Sequence, residues 1–187
     1  MPLWSSRGLR GSNLEEVINL TNEKYRDHNL ALIQKVPTPI TPVEIDESTR
    51  HITLAYFEKK STVDYIGAVQ GIPVCFDAKE SKTDTFSLQN VHEHQMEFMR
   101  DFEVQKGVAF FLINFTNKNI FYYMRYREMA GFWERMEKGG RKSIAHTELH
   151  AEWFFKENGG VFVPYLPMIE KDLIERETDV DNQKKQV

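Results

Sequence analysis

The sequence holds a single cysteine, Cys75, among its 187 residues. It can close no internal disulfide and has no companion at metal-ligand spacing, so a disulfide framework and a thiolate metal site are excluded and a reducing compartment fits. Its place in an apolar strand predicts a buried, inert thiol. Long apolar runs are missing too. The longest, Val108 to Phe115 and Ile120 to Met124, fall far short of a membrane span, and the N-terminus lacks the basic-then-apolar order of a secretory signal. A cytoplasmic protein with no membrane partner is expected. Internal repeats and low-complexity segments are absent, which removes solenoid and fibrous classes. Basic excess is lacking as well: 24 Lys and Arg face 28 Asp and Glu, a net charge of -4. Such a balance weighs against a uniformly DNA-attracting surface. Distribution counts for more, because Lys and Arg gather at Arg7 and Arg10, at Lys59 and Lys60, and at Lys138, Arg141 and Lys142.

What is present is enough apolar residue, 41%, for one globular domain of α/β type. Residues 1–11 read as a flexible arm, 12–170 as the folded domain, and 171–187 as an acidic tail that frays into solvent. Ser12-Asn13-Leu14-Glu15 has capping-box spacing, and Leu14, Val17, Ile18, Thr21 and Tyr25 form one face of the helix that follows. Leu30 to Val36 reads as a buried strand. Pro37, Pro39 and Pro42 then predict a projecting, semi-rigid loop to His51, within a stalk of about residues 37–60, and Ile52 to Phe57 a strand. A second helix is expected from a Ser87 cap to about Val104, and Gly107 to Phe115 with Asn119 to Arg125 as an apolar hairpin.

The stretch that carries chemistry is Thr62 to Lys79, two short strands joined at Gln70-Gly71. Strand alternation puts Asp77 and Lys79 on one face, and the hairpin returns Asp64 beside them. Two carboxylates and an ammonium at one edge suit a hard divalent cation and phosphodiester chemistry; a salt-bridged strand end is the plainer alternative. Gln95 stands on the apolar stripe of the second helix, where an amide must find a polar partner, since an unpaired one costs about 1–3 kcal/mol. Glu15 serves either as the capping-box acid or at the site. Arg141 and Lys142, beside Gly139-Gly140, form either a phosphate-contacting loop or a solvated turn. His92 and His94 flank the Gln95 turn and read as structural. His146 and His150, four apart, have no companion that would complete a zinc set.

Six blocks occur in order: Gly11-x-x-Leu14-Glu15, Lys35-x-Pro37-Thr38-Pro39, Ser61-Thr62-x-Asp64-Tyr65-x-Gly67, Phe76-Asp77-Ala78-Lys79-Glu80, Leu88-Gln89-Asn90-x-His92-x-His94-Gln95 and Gly140-Arg141-Lys142-Ser143-Ile144. With these, the sequence resembles the RecU family of Holliday junction resolvases over roughly residues 8–170. The resemblance implies a restriction-endonuclease-like mixed sheet flanked by helices, with a projecting stalk. It also implies a homodimer that nicks four-way DNA junctions symmetrically with Mg²⁺, Mn²⁺ substituting, and a strand-exchange recombinase as a further partner. Carried over residue by residue, it makes Thr62, Asp64, Asp77 and Gln95 the metal-site residues, Lys79 the transition-state stabiliser and Glu15 a helix-borne acid near the metal. Arg7, Arg10, Lys35, Lys59, Lys60, Arg141 and Lys142 are the expected DNA contacts. The chain departs from the family in carrying Asp77 where Glu is common, Val63 where a second Thr is common, and almost no basic N-terminal extension. A nuclease for other DNA structures and a non-catalytic junction-binding or recombinase-modulating module remain as alternatives.

Overall fold

Val108 to Phe115 is apolar at nearly every position, the pattern of a strand covered on both faces, and it forms the middle of the molecule. In the computed structural model, which describes residues 13–57 and 62–184, this strand is β7 (Val108–Phe115) of a six-stranded mixed sheet. The sheet runs β1 (Ala31–Lys35), β4 (Tyr65–Val69), β5 (Ile72–Ser81), β7, β8 (Ile120–Arg125) and β10 (Phe154–Phe155). All neighbours are antiparallel except β5 and β7, which pair in parallel from Val74 opposite Val108 to Ser81 opposite Phe115. The mixed sheet flanked by helices that the resemblance implied is therefore present.

Helix α1 (Asn13–Asp27) lies on one face, burying Leu14, Ile18, Thr21 and Tyr25 as its periodicity predicted. There Tyr65, Phe76 and Phe110 stack in series, and Tyr165 packs against Tyr25 and Phe76. Helices α2 (Glu93–Val104) and α3 (Tyr126–Glu137) cover the opposite face, and α4 (Leu166–Lys184) closes the chain. Among the described residues no helix is long and apolar enough to cross a membrane.

The β4–β5 turn follows from its two residues. Gln70 and Gly71 both have positive φ, 48° and 87°, as a two-residue hairpin turn requires. Gln70 tolerates this because its Nε2 donates to the Asn29 and Leu30 carbonyls, tying the turn to the start of β1. Gly67 is needed for a different reason: a Cβ there would lie 2.0 Å from the Leu32 carbonyl of the neighbouring strand.

Four sequence expectations are corrected. Leu30 to Val36 is not a buried strand; among the described residues β1 is a sheet edge with one neighbour, and Leu32 is 63% exposed. The proline-containing stretch is no loop: β2 (Ile40–Asp46) and β3 (His51–Phe57) pair as a separate two-stranded ribbon, with Pro42 at a register shift where no backbone donor is demanded. Ser87 caps not α2 but a 3₁₀ turn, Leu88–Asn90, and His92 precedes α2 as its N-cap. Residues 171–184, expected to fray, are helical. Arg176 explains it, for its guanidinium donates to both Glu103 oxygens and to Asp172, whose carboxylate also accepts from the buried Tyr123 hydroxyl.

Candidate active site

Antiparallel pairing of β4 with β5 ends at Tyr65 opposite Phe76, while β5 runs on to Ser81. Among the described residues, positions 77–81 thus have a strand neighbour only on the β7 side. The open edge is taken by a side chain. Asp64, one residue before β4, accepts the Ala78 N–H on Oδ2 at 2.9 Å. Its own carbonyl accepts from Val36 N at 2.8 Å, so the end of β1 closes in from the other side.

Asp77 is fully buried on the α2 face. Its Oδ2 accepts from Gln95 Nε2 at 2.5 Å, which supplies the polar partner that a glutamine on that stripe demanded. Gln95 Oε1 in turn accepts the His92 N–H at 3.0 Å, so one amide both caps α2 and steadies the aspartate. Lys79 Nζ stands 2.5 Å from Asp77 Oδ1, outside hydrogen-bond alignment, leaving that buried oxygen with an ion-pair partner but no hydrogen bond. Burial drives the Asp77 carboxyl up to about 7; the Lys79 charge opposes this and the nearby Asp64 carboxylate adds to it. Two neighbouring carboxylates, one buried and served by a single ammonium, are under-compensated in negative charge and fit a cation. Among the described residues there is no group of three or more His, Cys, Asp or Glu that would cage a metal. Two carboxylates with neutral oxygens match an ion such as Mg²⁺, which retains waters and takes ligands from substrate phosphate. Thr62 is exposed two residues before Asp64. For Gln95 to act as a ligand, its oxygen would have to leave the His92 N–H.

Glu15 makes other contacts than the expected metal-site residues. Its carboxylate pairs with Lys35, and its backbone carbonyl accepts from Tyr65 OH at 3.2 Å. The Tyr65 hydroxyl titrates far above its ordinary range because it is buried and lies near both the Glu15 and Asp64 carboxylates. Glu15 therefore stands at the rim, holding Lys35. Its capping partner Ser12 lies outside the described residues, as do Arg7, Arg10, Lys59 and Lys60. Arg141 and Lys142 are exposed; Arg141 Nε donates to Ser143 Oγ at 3.0 Å, and the Lys142 carbonyl accepts from Leu88 N at 3.0 Å. Through that bond and the pairing of β6 (Thr85–Ser87) with β9 (Ser143–Ala145), the basic turn adjoins the segment that leads to Gln95. His92 and His94 stack on one another beside it, with ring centroids 5.4 Å apart. His146 and His150 share no helix face: His146 stacks on Phe154, and His150 N donates to Tyr122 OH. Cys75 is buried, and burial raises its thiol pKa, which agrees with an inert role.

Two aspartates and a lysine gathered on an open strand edge of a mixed sheet fit phosphodiester chemistry. The model for the family described as Recombination protein U (RecU) matches residues 9–171. The Holliday junction resolvase RecU of Bacillus cytotoxicus is 42% identical over 146 residues, spanning 76% of this chain and 73% of that protein. Those of Geobacillus sp. (strain WCH70) and Pediococcus pentosaceus are 38% and 39% identical over 175 and 169 residues, covering 91% and 88% of this chain and 87% and 84% of their own. The chain belongs to the RecU family. Among solved structures, the Holliday junction resolvase Hjc of Archaeoglobus fulgidus is a remote likeness, with a TM-score of 0.39 and 10% identity over 63% of this chain and 73% of its own.

Proposed function

We propose that the protein is a Mg²⁺-dependent endonuclease that resolves four-way DNA junctions by paired symmetric nicks, with Mn²⁺ able to substitute. The observation that carries this reading is the buried Asp77 carboxylate, set against Asp64 and paired with Lys79 on an open strand edge. Thr62, Asp64, Asp77 and Gln95 would hold the ion, which supplies Lewis acidity and positive charge beside the scissile phosphate. Lys79 is the group that meets negative charge developing on the phosphate oxygens. Its ammonium is already positioned by Asp77, so little reorganisation is needed when that charge appears. Gln95 keeps Asp77 in one rotamer, and Asp64 is fixed by the Ala78 N–H. Lys35, released from Glu15, together with Arg141 and Lys142, would contact backbone phosphates; so would Arg7, Arg10, Lys59 and Lys60.

A junction offers two equivalent scissile phosphates related by approximate two-fold symmetry, so a homodimer with one site per subunit meets both. The β2–β3 ribbon, standing apart from the main sheet, serves as the stalk that reaches into the junction centre. Selectivity then comes from junction shape and deformability, and binding weakens steeply with salt. A cytoplasmic location and contact with the strand-exchange recombinase belong to the same reading. The test is a synthetic junction incubated with Mg²⁺: symmetric nicks are expected from the protein, and Lys79→Ala should bind the junction without nicking it. Tight binding with no cleavage in any divalent ion would point instead to a binding module, and equal cutting of linear duplex to a nuclease of other substrates.

A further inference from the structure

Lys79 and Glu80 are successive residues of β5, so they point to opposite faces of the sheet. Behind the catalytic side chains, on the α1 face, lies a cavity of about 550 Å³, within the range of small-ligand sites. Three residues in register across neighbouring strands form its floor: Glu80 opposite Asn114, and Asn114 opposite Phe121. Leu14 and Val17 of α1 make one wall, Glu157 and Phe162 the other, and Lys82 lines the cavity just past the end of β5. Asn114 Oδ1 is buried there without a hydrogen-bond partner.

These groups narrow the ligand. Glu80, Glu157 and the orphaned Asn114 oxygen are acceptors that call for N–H donors on the occupant, while Lys82, Thr116 and Asn119 also line the cavity and offer donors of their own. Two carboxylates repel an anion, and a bare cation would make no use of Leu14, Val17, Phe121 and Phe162. A flat molecule with apolar faces and amino hydrogens at its edge satisfies both sets. We propose that the cavity is a subsite for a nucleobase carrying an exocyclic amino group, drawn from the DNA substrate. Glutamate and asparagine oxygens accept from such amino groups, and rings stack on phenylalanine. This inference rests on the reading of the chain as a DNA endonuclease.

The experiment has two arms. In metal-free buffer, junctions carrying the fluorescent base 2-aminopurine at each position near the branch point are titrated with protein. Emission should change at one position when the complex forms. The change should be lost in Asn114→Leu and weakened in Phe162→Ala, a half-exposed site whose truncation leaves folding intact if the first variant fails to fold. In Mg²⁺, junctions with each base at that position should be cut at rates that disfavour thymine, which lacks an amino group, by about tenfold. Asn114→Leu should bring the four rates within about twofold of one another. Complex formation with no emission change anywhere, a change surviving in both variants, or an equal rate loss for all bases would overturn the subsite. An emission change without any cutting would sink the nuclease reading and leave the subsite standing.

Discussion

Asp64 Oδ2 accepts the Ala78 N–H at the point where β4 has ended, so a carboxylate fills a place on the β5 edge that a strand would otherwise occupy. One bond therefore serves both fold and site. Asn at position 64 keeps an acceptor for that N–H but removes the charge facing Asp77. We expect Mg²⁺ or Mn²⁺ to raise the melting temperature of the parent, and Asp64→Asn to be at least as stable as the parent without metal, by thermal melting at pH 8, and to lack that shift. Junction cleavage should fall by ~10²-fold or more. Asp64→Ala, which orphans the Ala78 N–H, should cost about 1–3 kcal/mol of stability. A metal-induced shift retained in Asp64→Asn would refute the assignment of this carboxylate.

The raised Asp77 pKa fixes a direction with pH. Burial is the main cause, so folding takes up a proton at this group. The stability it contributes is full below the ordinary carboxylate range and is lost as pH rises through about 7. Metal-free protein should accordingly lose stability across that window on this account. A bound cation must displace the same proton, so apparent metal affinity should rise by up to about tenfold per pH unit and level off near pH 7. Calorimetry of Mn²⁺ binding in buffers of different ionisation enthalpy should find close to one proton released at pH 6 and fewer at pH 8. An affinity flat with pH would contradict it.

Gln95 links the site to the start of α2 through two hydrogen bonds from one amide. Gln95→Met preserves volume but strands the His92 N–H and a buried Asp77 oxygen. Chemical denaturation should show a loss of about 1–3 kcal/mol, with cleavage reduced alongside. An unchanged midpoint would mean that the amide contributes only packing.

What was legible in the sequence, and what was not, divides along physical lines. Local signals sufficed for α1, whose buried face repeats every three to four residues, and for the β4–β5 turn at Gln70-Gly71. Gln95 could be singled out because an amide on an apolar stripe must be partnered, and Asp77 is that partner. The same signal stands at Asn114 in the apolar run of β7, whose Oδ1 is buried without a hydrogen-bond partner. Composition misled where the deciding contact is distant in sequence. Residues 171–184 look like a solvated tail because their charges are visible, whereas Glu103, which pairs with Arg176, is 73 residues away. Truncation after Glu170 should therefore be severely destabilising, and Arg176→Met alone, by leaving Glu103 and Asp172 partly buried and unpaired, should cost about 3–5 kcal/mol in a denaturant titration. A truncated chain that melts with the full one would restore the dispensable tail.

Prolines signal an absence of regular structure only where a backbone donor is needed, and among the described residues the β2–β3 ribbon has two free edges. Its side chains are also unlike those of a strand that packs on a core: Val43, Ile45, Ile52 and Leu54 are all exposed among the described residues. Apolar groups held in water add nothing to the stability of the fold, so their replacement should cost little. The double variant Ile45→Asp and Leu54→Asp is expected to melt within a few degrees of the parent, each exposed substitution being worth about 0.5 kcal/mol or less. Four-way junction affinity, measured by titration at fixed salt, should nonetheless fall by about tenfold or more, while affinity for linear duplex changes little. A matched loss on both DNAs would assign the ribbon to general charge attraction, and a large fall in melting temperature would mean that the ribbon packs against the body of the protein.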